Sequence, residues 1–400
     1  MTEAMIFNPL LPGFDADPYP HYREMRELDP VHEHPLGFWF LTRYDDVAQL
    51  LRSGLSVEDR SLADGPIADQ YRAFAGERNA ITLSMLDRDP PDHTRLRSLV
   101  AKVFTPRSVA ALEPMVAGLV DEALNRIADG KHVDLVDELA FPLPFAVISR
   151  MLGTPPTDHV RLRELTGTLV RSLEVVTDPE VLKAIADAEV QLAGMTEEII
   201  AWKRANPADD LLTALIQAEE DGDKLTDDEL VAQVLLLYVA GHETTVNLIA
   251  NGVVALLRHP GQLAALRADP ELAGGAVEEF LRYDSPVQQT RRITTAPYPL
   301  RGKEIPAGQF VIACLGAANR DPDFWGPDAD ELRIDRPDAH RHVSFGAGPH
   351  HCLGAALARL EGKVAFSNLV TRFPNLALDG EVTWNGRLNL RGASSVPISV

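Results

Sequence analysis

Residues 345–354 read FGAGPHHCLG, which puts three glycines, two histidines and one of the chain's two cysteines into ten positions. Three chemistries suit Cys352: a buried thiol in a tight loop, a metal site made by His350, His351 and Cys352, or a single thiolate directed at a cofactor. Adjacent residues rarely converge on one tetrahedral ion, and no second Cys/His cluster has the spacing of a structural zinc site, which disfavours the metal cluster. The helical pattern AALARLEGKVAFSNLVTRF follows Gly354. Cys352 therefore precedes a helix N-terminus, where unpaired N–H groups and a partial positive charge lower a thiol's pKa. The glycines let the backbone come close to a flat ligand.

Three further clusters carry chemistry. VAGHETTVN, residues 239–247, sits inside the apolar stretch 226–258. Burying Glu243 there without a partner is costly, although Thr244 or Thr245 taken alone would simply bond back to a carbonyl one turn earlier. EEFLRY places Glu279 and Arg282 three apart on a helix, able to pair. DPPDHTRLRSLV places His93 and Arg97 four apart on one helical face, where a solvated surface is the competing explanation.

Taken with its neighbours, FGAGPHHCLG resembles the haem-binding loop of the cytochrome P-450 haem-thiolate monooxygenases, with Phe345, Gly346, Gly348, His350, Cys352 and Gly354 at the family's positions. The resemblance implies haem b as cofactor and Cys352 as its iron ligand, a thiolate that pushes electron density onto the metal. Ala240, Gly241, His242, Glu243, Thr244 and Thr245 match the family's Ala/Gly-Gly-x-Glu/Asp-Thr-Thr/Ser pattern, which gives Glu243 and Thr244 to proton delivery and sets Ala240 beside the cofactor. There a threonine hydroxyl drawn out of the helical bonding pattern opens a groove. By the same resemblance His93, Arg97, Arg292 and His350 hold the haem propionates, with His342 a further candidate. Glu279 and Arg282 form a structural pair whose third partner lies in the loop before the cysteine. The position that aligns with that partner holds Glu331, so Arg333 is the expected substitute, ahead of Arg336. His351 is expected to be a bystander and Cys314 a core residue.

The elements that must position these residues follow from periodicity. Apolar residues at three-to-four spacing predict helices over 43–52, 92–105, 107–129, 135–152, 156–174, 180–205, 226–258 and 271–284, with a short strand near 37–43. After Pro286 the pattern turns to short extended pieces, including TRRITT, QFVIACL and VPISV. Residues 319–352 form a long loop with little regular pattern, unusual in a compact domain unless functional. Arg291 and Arg292 are neighbours on an expected strand and point opposite ways.

The fold class expected is mainly α with a small β-region, the cytochrome P-450 fold, as a single large domain over 1–400. The net charge of −21, from 38 basic and 59 acidic residues, excludes non-specific attraction to nucleic acid. No signal peptide or membrane anchor is visible, and two cysteines in different contexts suit a reducing cytoplasm. The resemblance implies reductive activation of O2 and hydroxylation or epoxidation of a hydrophobic small molecule: a macrolide, terpenoid, steroid or fatty acid. Electrons would come from a ferredoxin and an NAD(P)H-dependent reductase, since no dinucleotide fingerprint is present. Substrate contacts are expected from residues 64–86, 165–185, Val234 to Ala240 and 287–289. A peroxide-dependent peroxygenase and a non-catalytic haem sensor or carrier are the rival functions.

Overall fold

The computed structural model describes residues 6–58, 63, 84–102, 104–155, 159–174, 176, 178–220 and 223–400. The helices that frame the centre are α1 (Tyr19–Leu28), α2 (Tyr44–Arg52), α3 (Asp92–Ala101), α4 (Glu113–Gly130), α5 (Pro142–Leu152), α6 (His159–Leu169), α7 (Pro179–Ala205), α8 (Asp227–Arg258), α9 (Ala273–Tyr283) and α10 (Ala355–Arg372). Strands β1 (Val31–His34), β2 (Phe38–Leu41), β3 (Gln289–Ile293) and β4 (Phe310–Cys314) build one sheet in the order β1-β2-β4-β3. Within it β2 and β4 run parallel and the other pairs antiparallel. The N-terminal hairpin is thus joined to the extended pieces that follow Pro286.

Helix α8 is the axis of the molecule. Its 32 residues begin in a capping box, with the Thr226 hydroxyl accepting the Glu229 N–H and Glu229 accepting the Thr226 N–H at 2.9 Å. It is apolar on most faces because it is wrapped by other helices. Val116, Val120 and Leu124 of α4, Ile249 and Val253 of α8, and Phe366 and Leu369 of α10 are all buried in one cluster. The close approach of α8 to α10 depends on Gly252, where a Cβ would lie 2.4 Å from a Phe366 ring atom.

Most expected helices form; α3 stops at Ala101 and α6 at Leu169, short of the expected ends, and two others divide at prolines. The segment 107–129 divides into Pro106–Ala110 and α4, with Pro114 in the first turn of α4. Proline there lacks the N–H that a continuous helix needs and clashes with the carbonyl four residues earlier. Segment 135–152 likewise divides into a wide turn at Val136–Ala140 and α5, which opens on Pro142. Strands β1 and His132–Asp134 were not foreseen. Among the described residues no helix is long and apolar enough to cross a membrane.

Candidate active site

A cavity of about 2270 Å³ lies between α8, β3, the loop 344–354 and the start of α10. Pockets for one small ligand usually run to roughly 300–1,000 Å³, so this one has room for a large cofactor and a second molecule. Ala240, Gly241, Thr244 and Thr245 line one side, and Phe345, Gly346, His350, Cys352 and Gly354 the other. The two most specific sequence motifs, more than a hundred residues apart, face a common space.

The loop holds Cys352 by its backbone: the Cys352 N–H donates to the Phe345 carbonyl at 2.8 Å, closing a tight turn. That turn uses Gly346 and Gly348 at φ +68° and +69°, a region that favours glycine. At Gly348 a Cβ would also sit 2.8 Å from the Leu51 carbonyl oxygen, so the loop rests directly on the end of α2. The Cys352 thiol is accessible within the cavity. The protein mass around it nevertheless pushes its pKa up, opposed by the Gly354 N–H and the charges of Arg97 and Arg359. Among the described residues no three His, Cys, Asp or Glu side chains converge as metal ligands do, so His350, His351 and Cys352 do not make the zinc cluster weighed from sequence.

Four predicted polar residues, His93, Arg97, Arg292 and His350, share the cavity wall. The rings of His93 and His350 lie 4.2 Å apart. His93 is buried with neither ring nitrogen hydrogen-bonded. Burial pushes the His350 pKa down to about 4, with His93 and Arg292 adding to the shift. Burial also lowers Arg292 to about 10. Arg97 donates to the His351 carbonyl at 2.6 Å and Arg292 to the Arg291 carbonyl at 2.7 Å. Neither makes an ion pair among the described residues, so buried Arg292 and part-buried Arg97 line the cavity with no carboxylate in contact. Arg292 is the more buried of its pair, as the strand parity requires, although Arg291 also reaches the cavity.

Helix α8 departs from expectation beside the cavity. It is unbroken through 240–245, and the Thr244 hydroxyl donates to the Ala240 carbonyl at 3.0 Å, so no groove opens in the helix. Thr245 bonds back to Gly241 at 3.4 Å. Glu243 does not line the cavity; it pairs with Arg387, a cavity-lining residue that the sequence motifs did not single out. His242 is buried between Phe141 and Phe145, with ring centroids 4.8 and 5.8 Å away, and burial pushes its pKa down to about 4.

Behind the loop, Arg282 uses all five N–H groups. Two go to Glu279 at 2.7 Å each and the others to the carbonyls of Asn319, Ala329 and Glu331. The third member of this pair is Arg336, whose Nε lies 3.3 Å from Glu279, and not Arg333. The Arg333 side chain turns to Asp328 at 2.5 Å, and only its backbone N–H reaches Glu279, at 2.8 Å. A turn between Arg333 and Arg336 carries the later arginine inward. His342 is likewise away from the cavity, 3.2 Å from Glu278, and accepts the Ser344 N–H through Nδ1. It is not among the residues that line the cavity.

Of the expected substrate-contact segments, Leu169, Val170 and Ile185 line the cavity, as do Leu235 to Leu237 with Val239 and Ala240, and residues 287–289. Segment 64–83 lies outside the described residues, and Met85 and Leu86 at its end line the cavity. The loop 385–391, which sequence reasoning did not anticipate, completes the wall.

A family profile for cytochrome P450 matches residues 175–385. The chain is 44% identical over 398 residues to Cytochrome P450 107B1 of Saccharopolyspora erythraea, covering 96% of each chain. It is 41% identical over 395 residues to the Vitamin D(3) 25-hydroxylase of Pseudonocardia autotrophica, covering 97% of this chain and 94% of that one. Its fold superposes with a TM-score of 0.90 on a myxobacterial cytochrome P450, CYP267B1, solved in complex with myristic acid, at 38% identity and 98% coverage of both chains. Fold and site together are those of a mainly helical oxidative enzyme. The chain belongs to the cytochrome P450 family and is a monooxygenase of bacterial type.

Family membership implies a haem iron cofactor. The cavity fits a flat, doubly anionic macrocycle: Arg97 and Arg292 on its wall have no ion-pair partner among the described residues, and the His93 ring nitrogens are unpartnered. At Gly354, on the cavity wall, a Cβ would meet nothing within 4 Å.

Proposed function

We propose that the whole of 1–400 is one haem-thiolate domain that binds haem b and hydroxylates or epoxidises a hydrophobic small molecule in the cytoplasm. Electrons come from a ferredoxin and its NAD(P)H-dependent reductase. The observation that carries this reading is the meeting of Cys352 and Thr244 across one cavity.

Haem b, when bound, supplies the iron centre for reductive activation of O2. Cys352 would hold the iron as a thiolate ligand. His93, Arg97, Arg292 and His350 hold the two propionates, which supply the missing counter-charge. Ala240, Gly346 and Gly354 would keep the faces of the site free of bulk, and the Phe345 ring would pack beside the cofactor. Thr244 Oγ1 retains acceptor capacity for a water while its proton rests on Ala240, and rotation of the hydroxyl makes it a donor into the cavity. Glu243, one residue earlier, carries protons in from the far side of α8. Glu279, Arg282 and Arg336 fix the chain that leads into the cysteine loop.

The apolar wall, with Leu169, Val170, Leu236, Val239 and Leu388 among its residues, favours a hydrophobic substrate. A relative named for vitamin D3 and a neighbour holding myristic acid support a steroid-like or fatty-acid substrate. The deciding measurement is the spectrum of the reduced, carbon-monoxide-bound protein. A red-shifted Soret band that is lost in Cys352→Ser supports the proposal, and its absence from the wild type refutes it. Substrate-induced spectral shifts across steroids, macrolides, terpenes and fatty acids then identify the substrate class. Turnover that proceeds with peroxide but not with ferredoxin and reductase would establish a peroxygenase instead.

A further inference from the structure

Arg387 stands on a loop that is tied down from several sides. Glu174 accepts the N–H groups of Leu388 and Asn389, each at 2.9 Å, the Asn389 carbonyl accepts the Gln288 N–H at 2.8 Å, and Asn385 donates to the Leu390 carbonyl at 2.8 Å. Gly386 turns the chain at φ +66°, and Arg387 is delivered to the cavity wall. From there Nη1 pairs with Glu243 of α8, and Nη2 donates to the Gly167 carbonyl of α6 at 3.3 Å. Both side chains are largely withdrawn from solvent, with 20% of Arg387 and 15% of Glu243 exposed. A partly buried ion pair of this kind fixes carboxylate direction more firmly than a surface pair does.

The contact matters because Glu243 itself is absent from the cavity wall, whereas Thr244 and Arg387 both belong to it. We infer that Arg387 is a positioning residue for proton delivery. It holds the Glu243 carboxylate turned toward the 385–391 loop, so that the acid and the alcohol at 244 are joined through the cavity side of that loop. A substrate that presses on Leu388 or Asn389 therefore acts on the orientation of Glu243 through Arg387. The inference rests on the proposed role of Glu243 in proton management.

The test is a double-mutant cycle on the haem-loaded enzyme with Arg387→Gln, Glu243→Gln, both together, and Arg387→Lys. Oxygen uptake is driven by NADPH with a surrogate ferredoxin and reductase, using myristic acid as the probe, in H2O and D2O. The infrared C–O stretch of the reduced carbon monoxide complex is recorded alongside as a readout independent of turnover. Each Gln variant is expected to slow uptake by about 10- to 100-fold and raise the solvent isotope effect. The double variant should be no slower than the worse single, and Arg387→Lys should recover most of the rate. The C–O stretch should shift in the same sense in both single variants and no further in the double. Effects that multiply in the double variant, or an Arg387→Gln enzyme with normal uptake, isotope effect and C–O stretch beside an impaired Glu243→Gln enzyme, overturn the positioning role. Normal behaviour of Glu243→Gln overturns instead the proton-delivery reading on which it rests, and the inference with it.

Discussion

The guanidinium of Arg282 grips the carboxylate of Glu279 through two parallel hydrogen bonds of 2.7 Å, and neither side chain is exposed. The pair is three residues apart on α9, yet its work is long-range, because the remaining donors of Arg282 collect carbonyls from 319, 329 and 331. An ion pair at this spacing on a surface contributes ~0.5 kcal/mol or less. Buried and fully bonded, it becomes the anchor of the loop that ends at Cys352.

Arg282→Lys should therefore be severe despite keeping the charge, because an ammonium cannot reproduce the two-pronged contact or the three carbonyl bonds. Breaking a buried pair of this kind costs about 3–5 kcal/mol. Arg336→Ala, which leaves the Glu279–Arg282 pair intact, should cost less, and Arg333→Ala, with its side chain on half-exposed Asp328, less than about 1 kcal/mol. Urea unfolding of the three variants checks the order; an Arg333→Ala loss equal to that of Arg336→Ala would contradict it.

The two loop glycines should separate stability from cofactor retention. Gly348 combines φ +69° with a backbone oxygen 2.8 Å from where a Cβ would stand, so Gly348→Ala strains the loop in any ligand state, by about 1–3 kcal/mol. Gly354 has φ −81° and open space around the Cβ position. Gly354→Val should leave the melting of the apoprotein nearly unchanged and still weaken haem binding, since the added bulk enters the cavity. Apoprotein melting and haem titration of both variants distinguish the two effects.

The propionate assignment predicts graded haem loss. Replacing Arg97 or Arg292 by Gln removes one charge-assisted contact worth about 1.5–3 kcal/mol, so haem should transfer to an acceptor globin roughly 10- to 100-fold faster. His342→Ala should not share this behaviour, because His342 faces Glu278 rather than the cavity. Equal haem loss from the His342 and Arg292 variants would refute the assignment.

Much of this architecture is legible in the residues. The 3.6-residue period over 226–258, the change of pattern after Pro286 and the loop-to-helix junction at Gly354 each correspond to an element. Cys352, His93, Arg97, Arg292 and His350 meet because local motifs fix their elements and the fold brings those elements together. What escaped was decided by tertiary geometry. Nothing local distinguishes Arg333 from Arg336 until the turn between them is formed. Arg387 lies in a short irregular loop with no periodic signal, and its significance exists only through Glu243, 144 residues away in the chain. The Thr244 back-bond was the ordinary alternative for a helical threonine, and the helix adopts it.

Glu361, on α10, supplies a pH test that involves none of the cavity residues. It is 1% exposed, its Oε2 has no hydrogen-bond partner, and burial pushes its carboxyl up to about 8. A carboxyl in the unfolded chain releases its proton near pH 4.3, so between about pH 4 and 8 the folded state binds more protons than the unfolded state. Stability from this group is therefore fully present below that window, falls as pH rises through it, and levels off above the folded pKa. Glu361→Gln fills the same space without an ionisable proton and removes that slope. The variant should melt close to wild type near pH 4.5 and progressively above it toward pH 8, with the reduced carbon monoxide spectrum unchanged. Melting temperatures of both proteins at pH 5, 6.5 and 8 make the comparison, and a difference that is constant across the three would show that Glu361 is not held protonated by its surroundings.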